Sequence, residues 1–310
     1  MKKIILTIML ACWGCLLFAQ TKAGEAKEMQ RKNRNSLSID KKIKAYVPPS
    51  VFSHIEVVID SNTFKALIKD TFITRYLGSA FQDTMKTTHP VYSLYLWGHE
   101  NFLHFNPDKG WFNKQFGSAY VIFQSAKPGT GKALEAAWKQ NTNDTLMSYD
   151  FKGPDFVLTE IIFKDPGWIY KSKTNHLVPM LSSYSVETYK KKNLPDTSET
   201  GMTEFINSMG IKEIKNRIFK KISSLSLNIT KKEAEHLSSM LTTVGYKKRG
   251  KMFYKQGQPD IRFVLSQTEG SSKVQSIELL LTTPVKKRTI VVDSKMRLEV
   301  NEMKAVFFFN

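Results

Sequence analysis

Phe52-Ser53-His54-Ile55-Glu56-Val57-Val58-Ile59-Asp60 is the stretch that most limits what this chain can fold into. His54, Glu56 and Val58 alternate with Ile55, Val57 and Ile59, which predicts a strand with one largely polar face and one apolar face covered by a helix. Ser61 or Asn62 stands where a helix cap belongs, and Phe64, Leu67, Ile68 and Phe72 give the following helix its apolar stripe. Three strand-like segments come next, at 80–87, 91–97 and 102–106. The order is strand, helix, strand, strand, strand.

That order recurs. A strand at 118–125, a helix at 131–140 and strands at 144–151, 155–163 and 180–189 form a second pass. A polar connection over 193–201 leads to a helical stretch at about 202–219. A third pass then has a strand at 222–230, a helix at 232–244 and strands near 246–255, 261–267 and 274–282. A closing ribbon has turns near 293–295 and 301–302. Three appearances of one supersecondary unit point to repetition. The expected fold class is therefore α+β, built from βαβββ units. The expected organisation is a signal peptide at 1–19, a basic flexible tether at 20–48, a paired βαβββ domain at 49–192, a linker and helix at 193–221, and a third unit with a β-ribbon at 222–310.

The amino-terminal reading rests on Met1-Lys2-Lys3, an apolar run from Ile4 to Phe18, and Leu17-Phe18-Ala19, which together read as a secretory signal cleaved before Gln20. The run is short for a bilayer span, and no later run is long enough, so no transmembrane segment is expected. A second reading stays open: Met9-Leu10-Ala11-Cys12 resembles a lipoprotein box, with Cys12 as the anchored residue. Both cysteines, Cys12 and Cys15, fall inside the leader, so the mature chain has no disulfide and no thiolate ligand. The protein is expected to be secreted or periplasmic.

The formal charge is +18. The excess lies in clusters such as Lys190-Lys191-Lys192, Lys247-Lys248-Arg249 and Lys286-Lys287-Arg288. These sit at turns and strand ends, without an aromatic stacking ladder or a nucleic-acid motif, and read as solvated faces. No nucleic-acid partner is expected. Ala126-Lys127-Pro128-Gly129-Thr130-Gly131-Lys132-Ala133 follows a strand and opens a helix as a phosphate loop does. However, Ala126 replaces the first glycine and Ala133 the magnesium-binding hydroxyl, so the segment reads as a turn and helix start. Of the other histidines, His89, His99 and His176 fall in loops, and His236 is assigned to a solvated helix face.

The βαβββ repeat with a histidine early in its first strand resembles the vicinal oxygen chelate superfamily, which includes glyoxalase and bleomycin-resistance proteins. Ser53-His54-Ile55-Glu56-Val57-Val58, Leu96-Trp97-Gly98-His99-Glu100-Asn101-Phe102-Leu103-His104-Phe105 and Gln115-Phe116-Gly117-Ser118-Ala119-Tyr120 carry the likeness. The chain as a whole also resembles a secreted bacterial family of unknown function. The resemblance implies a glyoxalase-like cupped mixed sheet made by two units, with a C-terminal half-unit added, and a divalent metal and substrate on the concave face. Taken position by position, it implies His54 as the first ligand, His104 where the superfamily has a glutamate, and Glu187 as the last ligand. Ser118, a poor ligand, stands where a second-unit histidine is usual. Two histidines and one carboxylate with open positions would suit Fe, Mn or Zn.

In the enzyme version of this reading, a metal-dependent lyase, isomerase or dioxygenase, Glu56 is the nearest catalytic base. Tyr95, Trp97, Phe102, Trp111 and Phe112 would line the mouth around a small-molecule ligand. The alternative is a non-catalytic secreted binding or assembly module of the same fold without metal. In the third unit Ser223 or Ser224 stands where the histidine would be, and only Glu278 echoes the carboxylate. That copy is assigned a structural role or a part in a homo-oligomer.

Overall fold

The computed structural model of the protein describes residues 45–85, 91–108, 115–152, 156–164, 176–196, 199–211, 214–268 and 270–310. The expected leader, most of the tether, His89, Trp111 and Phe112 lie outside these residues. The fold is mixed α+β, with two mixed sheets.

Strand β1 (Ser50–Ile59) runs into helix α1 (Ser61–Lys69). The cap between them is Asp60, whose carboxylate accepts from the backbone of Asn62 and Thr63. Neither Ser61 nor Asn62 fills that role, because Asp60 still has the extended backbone that a capping residue needs. After a wide π-helical turn at Phe72–Leu77 come β2 (Ser79–Met85), β3 (Val91–Trp97) and β4 (Phe102–Pro107). The second pass consists of β5 (Ala119–Ser125), α2 (Gly131–Lys139), β6 (Leu146–Lys152), β7 (Val157–Phe163) and β8 (Leu177–Tyr184). Together these strands make one eight-stranded sheet in the order β2-β3-β4-β1-β5-β8-β7-β6. β1 pairs parallel with β4 and antiparallel with β5, and β5 pairs parallel with β8. The two passes thus meet at their first strands.

Several boundaries differ from the sequence reading. β8 ends at Tyr184, and Ser185 caps a short helix α3 (Val186–Lys191) through its hydroxyl and the backbone of Thr188. The helical stretch expected over 202–219 is only α4 (Met202–Ser208), stopped near Gly210 at φ 70°, followed by a 3-10 turn at Ile214–Asn216. The strand expected near 246–255 is a hairpin of β10 (Lys247–Arg249) and β11 (Met252–Tyr254), turned at Gly250 with φ 61°.

β9 (Phe219–Thr230), α5 (Lys231–Thr243), β10, β11 and β12 (Asp260–Ser266) complete the third pass. β13 (Lys273–Val291) is therefore not its last strand. It pairs antiparallel with β9 and forms a long ribbon with β14 (Met296–Phe309), giving the order β10-β11-β12-β9-β13-β14. The turn expected near 301–302 is absorbed into β14, where Glu302 takes a positive φ of 52° beside a shift in pairing register.

The outer face of the first sheet carries Phe52, Ile55, Val57 and Ile59 of β1 with Leu103, Phe105, Val121 and Phe123. These side chains join α1, α2, α5 and the second sheet in one core. Full burial of each such side chain contributes about 1.5–3 kcal/mol. Across the junction Phe105 meets Phe307, Phe123 meets Tyr246, and Trp138 donates from its indole to Ser239 Oγ at 2.9 Å. His236 is buried in this junction, stacked on Phe163 at 4.0 Å, and its Nε2 lies 2.9 Å from Asp144. The face of α5 assigned to solvent is thus covered by the first sheet. A second polar tie is His176 Nδ1, 2.9 Å from buried Glu233, which also accepts from Leu177 N, Thr230 Oγ1 and Ser272 Oγ. Burial opposes ionisation of Glu233, but these partners outweigh it and hold its pKa below the ordinary value.

Candidate functional site

The inner face of the first sheet is polar at its centre and aromatic on one side. Alternation along β1 sends His54 and Glu56 to this face, and alternation along β4 sends Phe102 and His104 there. The parallel register sets Glu56 directly opposite His104 and His54 opposite Phe102. Glu56 Oε1 lies 3.1 Å from His104 Nδ1 and 3.5 Å from His54 Nε2. Ligand atoms of the three residues all fall within 4.8 Å of one another.

Each ring is held in place by stacking. His54 stacks on Phe102 at 4.1 Å, with Ser53 Oγ 2.9 Å from its Nδ1, and His104 stacks on Tyr95 at 4.0 Å. His104 Nε2 is buried with no hydrogen-bond partner among the described residues. Burial resists ionisation of Glu56, yet the neighbouring His104 and His54 outweigh it and hold the carboxyl far below the usual carboxylate range. Burial lowers the pKa of His54 against the pull of Glu56, which favours a neutral imidazole with a lone pair to donate. One anionic oxygen donor beside two imidazoles is a donor set that Fe, Mn or Zn accepts.

The second half of the sheet supplies the opposite wall. Ile122 and Gln124 of β5, Leu158 and Glu160 of β7, and Met180, Ser182 and Tyr184 of β8 line one cavity with Ser53, His54, Glu56, Tyr95, Trp97 and Phe102. Six strands can border a cavity of about 50 Å³ only if the sheet curls around it, because flat strands are spaced roughly 4.8 Å apart. Glu160 is buried and accepts a hydrogen bond from the hydroxyl of Tyr149 on β6. Burial pushes its pKa up to about 8; the Tyr149 bond works against that rise and the Glu56 charge adds to it. The roof is α4. Phe205 and Met209 border the cavity, and Met202, Phe205, Ile206 and Met209 pack with Tyr95, Trp97 and Phe102 in one apolar cluster.

Of the residues singled out by sequence, His54, Glu56 and His104 are brought together and Glu187 is not. Glu187 sits in the first turn of α3 with its side chain 68% exposed, paired with Lys191 at 3.0 Å. The Ser185 cap converts the expected strand into a helix and turns Glu187 to solvent. Ser118 precedes β5, and its hydroxyl accepts from His176 N at 3.2 Å. The inner-face residues of β5 are Tyr120, Ile122 and Gln124 instead. Glu278 of the third unit accepts from Ser223 Oγ at 2.8 Å and from Lys304 Nζ at 3.1 Å.

Glu160 was missed by sequence reasoning. Its signal is a lone carboxylate in the mostly apolar strand Val157-Leu158-Thr159-Glu160-Ile161-Ile162-Phe163. The Pro128–Gly131 segment is a turn: Gly129 takes φ 71° and the Thr130 N–H donates to Ser183 Oγ.

No protein-family profile matches the chain, and no curated protein does. Among solved structures the chain is similar to a hypothetical protein from Staphylococcus aureus, at 10% identity and a TM-score of 0.47, over 78% of this chain and 95% of that one. It is also similar to a xylose isomerase-like TIM barrel/4-hydroxyphenylpyruvate dioxygenase fusion protein, at 8% identity and a TM-score of 0.37, over 81% of this chain and 39% of that one.

Proposed function

We propose that the protein binds a small molecule in the curled eight-stranded sheet, as a vicinal-oxygen-chelate-like cup, with a divalent metal held by His54, Glu56 and His104. The observation that carries this reading is the convergence of three ligand atoms within 4.8 Å on one buried wall. An orphaned imidazole nitrogen at His104 and a strongly acidic Glu56 carboxyl support it. In this reading Glu56 serves as a ligand, and Glu187 has no part. The metal, when bound, would polarise an oxygen of the ligand as a Lewis acid. The chain's own side chains do the rest: Phe102 and Tyr95 fix the ring planes, and α4 keeps water out.

The test is a zinc and cobalt titration of tag-free protein, followed by calorimetry and elemental analysis. One metal per chain is expected for wild type and for Glu187→Gln, with at least tenfold weaker binding for His104→Ala and Glu56→Gln. Absence of binding in wild type, or an equal loss in Glu187→Gln, refutes the reading. A second reading, the same cup without metal, is favoured by the apolar roof of α4 and predicts no metal in any variant.

We extend the proposal to export of the chain with residues 1–19 as its leader, which amino-terminal sequencing of the mature protein checks. Assembly of copies through the third unit would use β14, whose outer edge pairs with no other strand among the described residues.

A further inference from the structure

The cavity between the two walls is about 50 Å³. On the same measure a single water needs about 10–15 Å³, whereas sites for larger organic ligands run to about 300–1,000 Å³. With α4 in place, the space left beside a metal therefore holds a ligand of about three or four non-hydrogen atoms. Its charge follows from the walls. A dication with one carboxylate, Glu56, and neutral imidazole carries a net single positive charge, and buried charge is tolerated only when matched. A monoanion matches it.

Glu160 stands on the wall facing that centre. The residue is 4% exposed, and among the described residues its carboxyl has one hydrogen-bonding partner, the Tyr149 hydroxyl. That hydroxyl uses an acceptor position of the carboxyl. With Tyr149 donating, the carboxyl's own proton has no acceptor among the described residues and faces the cavity, which Leu158, Met180, Phe205 and Met209 border beside Gln124 and Ser182. Burial in this position disfavours the charged form of the carboxyl.

We propose that the ligand of the cup is a small carboxylate-type monoanion, with one oxygen directed to the metal and the other accepting a hydrogen bond from the carboxylic acid of Glu160. The inference rests on the metal reading above and deepens it. Gln124 and Ser182, neighbours across the β5–β8 pairing and both on the cavity wall, supply further polar contacts. The arrangement selects by size, because α4 closes over the ligand, and by charge, because an uncharged molecule would leave the centre unbalanced.

Cobalt-loaded protein gives a readout that does not depend on activity, since an oxygen ligand reaching the metal changes its visible absorption. Acetate and benzoate are the probes, and wild type is compared with Glu160→Gln and Glu160→Met. Both replacements are uncharged and close in size to glutamate, so both keep the wall filled, but only Gln retains a donor. Acetate is expected to perturb the cobalt spectrum of wild type and Glu160→Gln with similar affinity, and to bind Glu160→Met at least about tenfold more weakly. All three should hold cobalt equally, and benzoate should leave the spectrum unchanged. Equal acetate affinity in Glu160→Met and wild type overturns the inference while leaving the metal site standing. Loss of cobalt from Glu160→Met also overturns it, because Glu160 would then serve the metal and not the ligand. Wild type that takes up no cobalt overturns the metal reading and this inference together.

Discussion

Replacing Glu160 by glutamine should remove a large part of the pH dependence of stability. The folded protein raises the carboxyl from an ordinary value of 4.5 to about 8. Between those values the native state holds a proton that the unfolded chain releases. Stability is therefore greatest below the unfolded pKa, falls as pH rises toward the folded pKa, and is flat beyond it. Each unit of pKa difference corresponds to about 1.4 kcal/mol, so the full span is about 4–5 kcal/mol, and between about pH 5 and about pH 8 the loss is about 3–4 kcal/mol. That is a sizeable share of the ~5–15 kcal/mol typical of a folded domain.

Glutamine stays neutral throughout and can still accept from Tyr149 through its amide oxygen. The groups that face Glu160 are Tyr149 on β6 and Glu56 and His54 across the cavity, with apolar Phe205 and Met209 above. These are common to both proteins, so their own titrations cancel in the comparison. Urea unfolding followed by tryptophan fluorescence, at a series of pH values with a chelator present, measures the difference. Glu160→Gln should match wild type near pH 5 to within about 1 kcal/mol and exceed it near pH 8 by about 3 kcal/mol or more. Parallel stability profiles would show that Glu160 is solvated or paired in solution, and the argument for a neutral acid in the cup would fail.

Phe205→Ala should cost about 3–5 kcal/mol, because the ring is buried against the cup's aromatic wall, and should let benzoate reach a cobalt-loaded cup that excludes it in wild type. Glu233→Leu leaves His176 and Ser272 facing an apolar group at the junction of the two sheets, and a loss of about 2–4 kcal/mol in thermal or urea unfolding is expected. Glu187→Gln should change stability by less than about 0.5 kcal/mol, since its ion pair with Lys191 is exposed. A loss above about 1 kcal/mol would mean that α3 is set differently from the structure.

Alternation alone made the first strand legible, and with it the face that His54 and Glu56 share. A period of two needs no knowledge of neighbours. The pairing of Glu56 with His104 was not legible, because a parallel register joins residues far apart in sequence and depends on the crossover between them. Glu187 was misplaced for a local reason: Ser185 stops the strand by capping a helix, and the run Val186-Glu187-Thr188-Tyr189 suits either state until the cap is weighed. Glu160 was overlooked because a carboxylate in an apolar strand reads as an outward residue, and only the curl of the whole sheet turns it into a cavity. His236 looked solvated because the α5 pattern says which face is polar but not that a second sheet covers it.

The position of β13 has a consequence for the growth of the repeat. Beside β9 it takes the antiparallel place that β5 takes beside β1, so the central strand of the third unit has both edges satisfied by its own polypeptide. The seam that elsewhere joins one unit to the next is here filled by the tail. The ribbon therefore blocks that edge of β9. Any further strand seeking that edge of β9 would have to strip away its pairing with β13, the longest strand among the described residues.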